Sequence, residues 1–322
     1  MFIIYYGIGA LIVSLVIGTP VIKILKKVKA GATIQEELAY EQQVKMGTPL
    51  MGGFIFIIPI VVMLLGFLLL NQSYFVEVAI ILLFVIGYGV IGFIDDYLKV
   101  VKKHSDGLKA KQKIILQIGI IVLYYLLVRT VGVDTTIYFP LIDKVVDLKI
   151  LYLPFLLFFS VGFSNAVNLT DGMDGLLAGV FICTSIAYAV IGNYLSNTLI
   201  ALLAIITTGS LIGYLKFNYH PAKVFMGDTG SLALGGVIVS YALLTKTEVL
   251  LLLLGGLYVI EAISVILQVS YFKITNGKRI FKMAPIHHHF TLAGVKETKV
   301  VFGFWLASAV FGVLGVVIMI LI

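Results

Sequence analysis

Residues 55–70 read IFIIPIVVMLLGFLLL, sixteen consecutive positions without a charge or an amide. A soluble helix of that length would show a polar face recurring every 3.6 residues. None is present here, nor in LLLLLGGLYVI at 250–260. A bilayer-crossing helix needs about 20 mostly apolar residues. Windows of that kind recur near 3–22, 50–70, 76–94, 114–132, 150–167, 175–192, 196–215, 230–245, 249–272 and 301–321. The expectation is an all-α polytopic membrane protein of about ten transmembrane helices.

Composition agrees. Of 322 residues 61% are hydrophobic and only 12% charged, against roughly 25% charged in ordinary soluble domains. Mean hydropathy is +1.11. The gaps between spans are short, so residues 1–322 are expected to form a single membrane-embedded unit. The first span is followed, not preceded, by Lys23, Lys26, Lys27 and Lys29 and lacks a small-residue cleavage site, so it is expected to stay as an anchor. The one cysteine, Cys183, lies within an apolar span and allows neither an intramolecular disulfide nor a cysteine metal cluster.

The net charge of +7 does not point to nucleic acid, because the basic residues sit in short loops beside spans. There they set orientation. Loops 23–49, 95–113, 216–229 and 273–299 carry nineteen of the 23 Lys and Arg residues, and only Arg129, Lys144, Lys149 and Lys246 fall in the opposite set. The positive-inside rule makes the first set cytoplasmic and both termini extracytoplasmic. Alternation of spans also puts Asn168 to Asp174 inside, so Asp95, Asp96, Asp171, Asp174, Asp228 and His287 to His289 share one side and a cytoplasmic cleft.

Four segments carry possible chemistry. GYGVIGFIDDYLKV (87–100) ends in Asp95 and Asp96 at the membrane boundary. Ionisable groups there are costly and by default functional; the pair suits Mg²⁺ or a general base, or it is a solvated helix end. NAVNLTDGMDGL (165–176) spaces Asn165, Asn168, Asp171 and Asp174 three apart beside Gly172 and Gly175. It fits a ligand approaching bare backbone, or a helix-capping loop. FNYHPAKVFMGDTGSLALGG (217–236) joins Asn218, His220, Lys223, Phe225 and Asp228 to a turn that opens a span. Helix starts favour phosphate, although Asp228 equally fits an N-cap, and Phe225 either stacks on a base or packs under the loop. KRIFKMAPIHHHFTLAG (278–294) holds three adjacent histidines; at most two imidazoles face one ligand, and anion contact suits them better than zinc, which wants spaced ligands. KMGTPLMGG (45–53) adds Lys45, and the loop at 99–113 adds six lysines that mostly read as topology signals and headgroup contacts.

TPLMGG, GFIDDYLKV, NAVNLTDGMDGL, FMGDTGSL and MAPIHHHF, in that order from residue 48 to 290, closely resemble the phospho-N-acetylmuramoyl-pentapeptide-transferase family. The resemblance implies a Mg²⁺-dependent homodimer that moves phospho-MurNAc-pentapeptide from its UDP carrier to undecaprenyl phosphate in peptidoglycan synthesis, giving lipid I and UMP. It implies Asp228 as metal ligand, with Asp95 and Asp96 positioning or deprotonating the lipid phosphate. Lys45, Asn168, Asp171, Asp174 and Phe225 would meet the nucleoside side. Asn218, Lys111 and His287 to His289 would meet the diphosphate or sugar. A polyprenyl-phosphate N-acetylhexosamine-1-phosphate transferase would share several motifs, but MAPIHHHF argues against it. A transporter would show internal repeats and midplane charges; no repeat is seen, and Glu261 is the only carboxylate deep in a span.

Overall fold

A computed structural model describes residues 2–28, 47–100, 102, 107–129 and 134–321; Lys45 lies outside them. Among the described residues, nine helices are long and apolar enough to cross a membrane. The first spans are α1 (Phe2–Lys27), α2 (Phe54–Leu70), α3 (Phe75–Val100) and α4 (Ala110–Arg129). At 17 residues α2 falls just short of the others, reaching about 26 Å at 1.5 Å per residue. Then come α5 (Tyr152–Leu169), α6 (Leu176–Tyr194), α7 (Thr198–Asn218) and α8 (Gly227–Thr245). The expected span at 249–272 is interrupted. It consists of the single turn α9 (Leu251–Leu254) and then α10 (Gly256–Ile274), parted at Gly255. The ring of Phe311 packs where a Cβ on Gly256 would lie, 2.9 Å away, so the neighbouring helix uses the gap this glycine pair leaves. A short α11 (Ile286–Leu292) carries the histidines, and α12 (Glu297–Leu321) closes the chain.

One element departs from the all-helical expectation. Thr136–Phe139 (β1) and Lys144–Asp147 (β2) pair antiparallel, Thr136 opposite Asp147. TIYF and KVVD are rich in β-branched and aromatic residues, which suit a strand. Asp143 takes the left-handed conformation at the turn.

α7 and α8 are buried along most of their length, whereas α1, α10 and α12 keep most of their surface exposed. That surface is apolar: Phe158, Leu69 and Phe302 stand out of the bundle at 81%, 78% and 66% exposure. Such a rim suits hydrocarbon better than water.

α3 and α8 run antiparallel against one another. Ala233 meets Gly89 and the Phe84 carbonyl meets Gly236. Small residues at these crossings let two backbones approach closely. The pairing sets the C-terminal turns of α3 beside the first turn of α8. The β-hairpin lies at the far end, where the Lys246 ammonium, just past α8, donates to the Asp134 carbonyl at 2.7 Å.

Candidate active site

Asp95 and Asp96 belong to α3, which continues past them to Val100, so they sit within a helix and not after one. Neighbours on a helix point about 100° apart. They therefore face different partners, although both are buried. Asp96 turns to the start of α8. Its Oδ1 accepts the Asp228 N–H at 3.1 Å, and its Oδ2 accepts the Thr229 N–H at 2.9 Å and the Thr229 hydroxyl at 2.6 Å. An N-terminal helix turn leaves N–H groups unpaired, and a carboxylate from another helix satisfies two of them here. Gly227 is required just before: its φ is +69° and a Cβ would lie 2.4 Å from Asp96 Oδ2.

Asp95 turns to a cation cluster. Its Oδ1 accepts the Leu108 N–H at 2.7 Å, and its Oδ2 lies 2.5 Å from the Lys99 ammonium and 3.0 Å from that of Lys113. Asp228 completes the cluster, its Oδ2 2.5 Å from Lys113 Nζ and 3.4 Å from Lys99 Nζ. Asn168, at the end of α5, donates to Asp228 Oδ1 at 3.1 Å and to the Ser231 hydroxyl at 3.0 Å. Asp95, Asp96 and Asp228 each bring one oxygen within 4.8 Å of the others.

Several expected site residues do other work. Lys111 is exposed with no partner among the described residues, and Lys113, half a turn further along α4, enters the cluster instead. Lys99 is one helical turn beyond Asp95, so that pair was open to detection by i,i+4 spacing. Nothing local distinguishes Lys113 from Lys111. Asn218 is buried and holds two backbones, accepting from the Gly175 N–H at 3.0 Å and donating to the Val224 carbonyl at 2.9 Å. Asp174 Oδ2 accepts from His220 Nδ1 and the Ala222 N–H, both at 3.0 Å, while its own N–H donates to Glu297 at 3.0 Å. Asn165 donates to Gln117 at 3.1 Å and to the Val161 carbonyl at 2.8 Å. These groups tie the loops together from within. Asp228 does not cap its own helix, because Asp96 does.

Asp171 is different. It lies in the loop between α5 and α6 and its carboxyl accepts no hydrogen bond among the described residues. Burial, with the charges of Asp228, Asp96 and Asp174 adding to it, pushes this carboxyl up to about 8. Phe225 is half-buried, its N–H donating to the Pro49 carbonyl and its own carbonyl accepting from Gly52, both at 2.8 Å. The TPLMGG turn thus braces the approach to Asp228.

The three histidines diverge, as their adjacency requires. His289 Nδ1 accepts the Lys282 N–H at 3.1 Å and its ring meets Phe281 edge-on. His287 and His288 stay together, ring centroids 4.1 Å apart. His287 is fully buried and its Nδ1 lies 3.0 Å from Glu261 Oε1 of α10. Glu261 was visible in the sequence as a carboxylate deep in a span, but its partner was not.

Residues 78–246 match the glycosyl transferase family 4 model. The chain is 46% identical over 300 residues to the phospho-N-acetylmuramoyl-pentapeptide-transferase of Shouchella clausii (strain KSM-K16), across 92% of this chain and 91% of that protein. It is 45% identical over 315 residues to the protein of the same name from Staphylococcus aureus (strain JH9), across 96% and 97%.

Proposed function

The chain belongs to the phospho-N-acetylmuramoyl-pentapeptide-transferase family, and on that premise we propose that it transfers phospho-MurNAc-pentapeptide from UDP to undecaprenyl phosphate, releasing UMP. The observation that carries the reading to particular residues is the convergence of Asp95, Asp228, Lys99 and Lys113 at one end of α3 and α8.

The donor set suits Mg²⁺. Asp228 Oδ2 and Asp95 Oδ2 already share one cation, the Lys113 ammonium, at 2.5 and 3.0 Å, and hard anionic oxygens are what that ion seeks. Asp228, with Asp95 beside it, would hold it. When bound, the ion supplies neutralisation of charge on the diphosphate. Lys99 and Lys113 add positive charge for phosphate oxygens. Asp96, with its oxygens turned to α8, acts by holding Asp228 in place and not as a base. Asp171 and Phe225, with Lys45, are assigned to the nucleoside, while Asp174 and Asn218 shape the loops around it.

A phosphate monoester has its second pKa near 6, so the lipid phosphate arrives largely ionised and needs no strong base. Its oxygen attacks the β-phosphorus, a new P–O bond forms, and the bond from that phosphorus to the bridging oxygen breaks. UMP leaves with the bridging oxygen. The carboxylates' engagement with lysines and helix N–H groups favours this direct route over a phospho-aspartyl intermediate. The site is assigned to the cytoplasmic face of a bacterial plasma membrane, where lysine-rich loops and a soluble nucleotide meet, and the working unit to a homodimer.

UMP release by purified protein with Mg²⁺ and undecaprenyl phosphate tests the reading. Release is expected with UDP-MurNAc-pentapeptide; release with UDP-GlcNAc alone would assign the chain to the simpler sugar transferases. In the same assay Lys113→Met is expected to lower turnover by about 10- to 100-fold, the worth of one charged hydrogen bond of roughly 1.5–3 kcal/mol. Lys111→Met should stay within about twofold, as surface changes usually do. The reverse order of the two lysines would move the phosphate contact to the outer face of α4.

A further inference from the structure

One face of α10 carries Glu261, Ser264 and Gln268, an i, i+3, i+7 series, and each member holds the segment that leads into or forms α11. Gln268 Oε1 accepts the Ile280 and Phe281 N–H groups at 3.0 Å, and its amide donates to the Phe281 carbonyl at 3.0 Å. Ser264 Oγ accepts the Ile286 N–H at 3.0 Å. Glu261 Oε1 meets His287 Nδ1 at 3.0 Å. The first two grip backbone. Only Glu261 grips a side chain, and both partners are fully buried.

A carboxylate in such a place is expensive unless paired. The tautomer of the ring decides which partner of this contact donates; an ionised carboxylate only accepts hydrogen bonds, and opposite one the proton sits on His287 Nδ1. The bond made by one ring nitrogen decides what the other presents. His287 Nε2 has no hydrogen-bond partner among the described residues. It is aimed at the bare backbone of Gly172, where a Cβ would come within 2.0 Å of it. Gly172 follows Asp171, whose carboxyl is likewise without a hydrogen-bond partner among the described residues.

We propose that Glu261 is a positioning residue for the transfer reaction: it fixes the tautomer and direction of His287 so that Nε2 faces the Asp171–Gly172 loop and takes a phosphate or sugar group of the incoming nucleotide-sugar. The assignment of that ligand rests on the transferase reading above. The geometry of the pair does not.

Two measurements on the full-length protein separate the two. Two-bond ¹H–¹⁵N spectra of ¹⁵N-histidine-labelled protein, with His287 identified by its loss in His287→Ala, are expected to show Nδ1 protonated in wild type and in Glu261→Gln, whose amide oxygen still accepts. Glu261→Ala should give a mixture of tautomers. In the UMP-release assay Glu261→Ala is expected to lower kcat to the level of His287→Ala, about 10- to 100-fold by comparison with carboxylates that orient metal-bound imidazoles. The double variant should be no worse than either single one, and Glu261→Gln should recover most of the loss. An unprotonated Nδ1 in wild type, a tautomer unchanged in Glu261→Ala, or Glu261→Ala turnover within about twofold of wild type while His287→Ala falls at least about tenfold would each overturn the proposal. A wild-type protein that releases no UMP from either UDP-sugar would instead remove the transferase reading and leave the spectroscopic result to decide the pair.

Discussion

Replacing Asp228 by Asn is expected to abolish nearly all transfer while the protein stays folded. Asp228 Oδ2 faces Lys113 and Lys99, and its Oδ1 accepts from Asn168. The amide keeps the size of the side chain but removes the negative charge, leaving Asp95 alone to balance two ammonium groups and to hold a divalent ion. Losing one aligned electrostatic contact commonly costs about 10²–10³ in rate, and losing the ion's anchor should cost more. Folding should survive because the N–H groups at the start of α8 are capped by Asp96 and not by residue 228. UMP release at saturating substrate, beside a thermal melt in detergent, checks both halves. Turnover above about a tenth of wild type, well outside that range, would transfer the metal role to Asp95 or Asp96. Added Mg²⁺ should rescue little, since Asp96 is committed to the helix start.

The second large effect comes from a residue with no chemistry of its own. A Cβ on Gly92 would stand 1.9 Å from the Asp228 carbonyl oxygen, 2.3 Å from its carbon and 2.6 Å from the Thr229 nitrogen. All three atoms are backbone, so no side chain can rotate away. Gly92→Ala must therefore push the first turn of α8 off α3, breaking the Asp96 cap and shifting Asp228 from Asp95. Overpacking of this kind costs about 1–3 kcal/mol, occasionally more, and a displacement near 1 Å in an active site can cost about 10²-fold in rate. A lowered melting temperature together with a turnover loss of about that size is expected. Gly162→Ala on α5, where nothing lies within 4 Å of the added carbon, should change neither. Wild-type turnover in Gly92→Ala would mean that the α3–α8 contact does not set the carboxylate geometry.

Much of this protein was legible in its sequence because a membrane solvent leaves a coarse mark. Runs such as 55–70 have only one favourable environment, and the positions of the apolar helices follow from them, although nine and not ten are long and apolar enough to cross a membrane among the described residues. The glycine-bounded Asp and Asn motifs marked residues that the structure gathers at one end of α3 and α8, and the spacing of Lys99 one turn from Asp95 left that pair open to detection. The hairpin at 136–147 escaped that reading because it lies outside the apolar runs. The broken helix at Gly255 was masked because hydropathy does not register a change of direction.

Most of the division of labour among polar residues was not legible. Sequence spacing states that Asp95 and Asp96 point apart, but not that one meets Lys113 and the other the N-terminus of α8. It offers Lys111 and Lys113 as equals. It presents three histidines without saying that the first is turned by a glutamate twenty-six positions upstream. The sequence by itself determined the solvent this chain requires, the class of fold that solvent permits and the residue types gathered at one end. Only the tertiary structure decided which of them touch, because those contacts depend on the register of α3 against α8, settled by the close approach of the Gly92 backbone to Asp228, and on the seating of the His287 ring against Gly172, positions far apart in the chain.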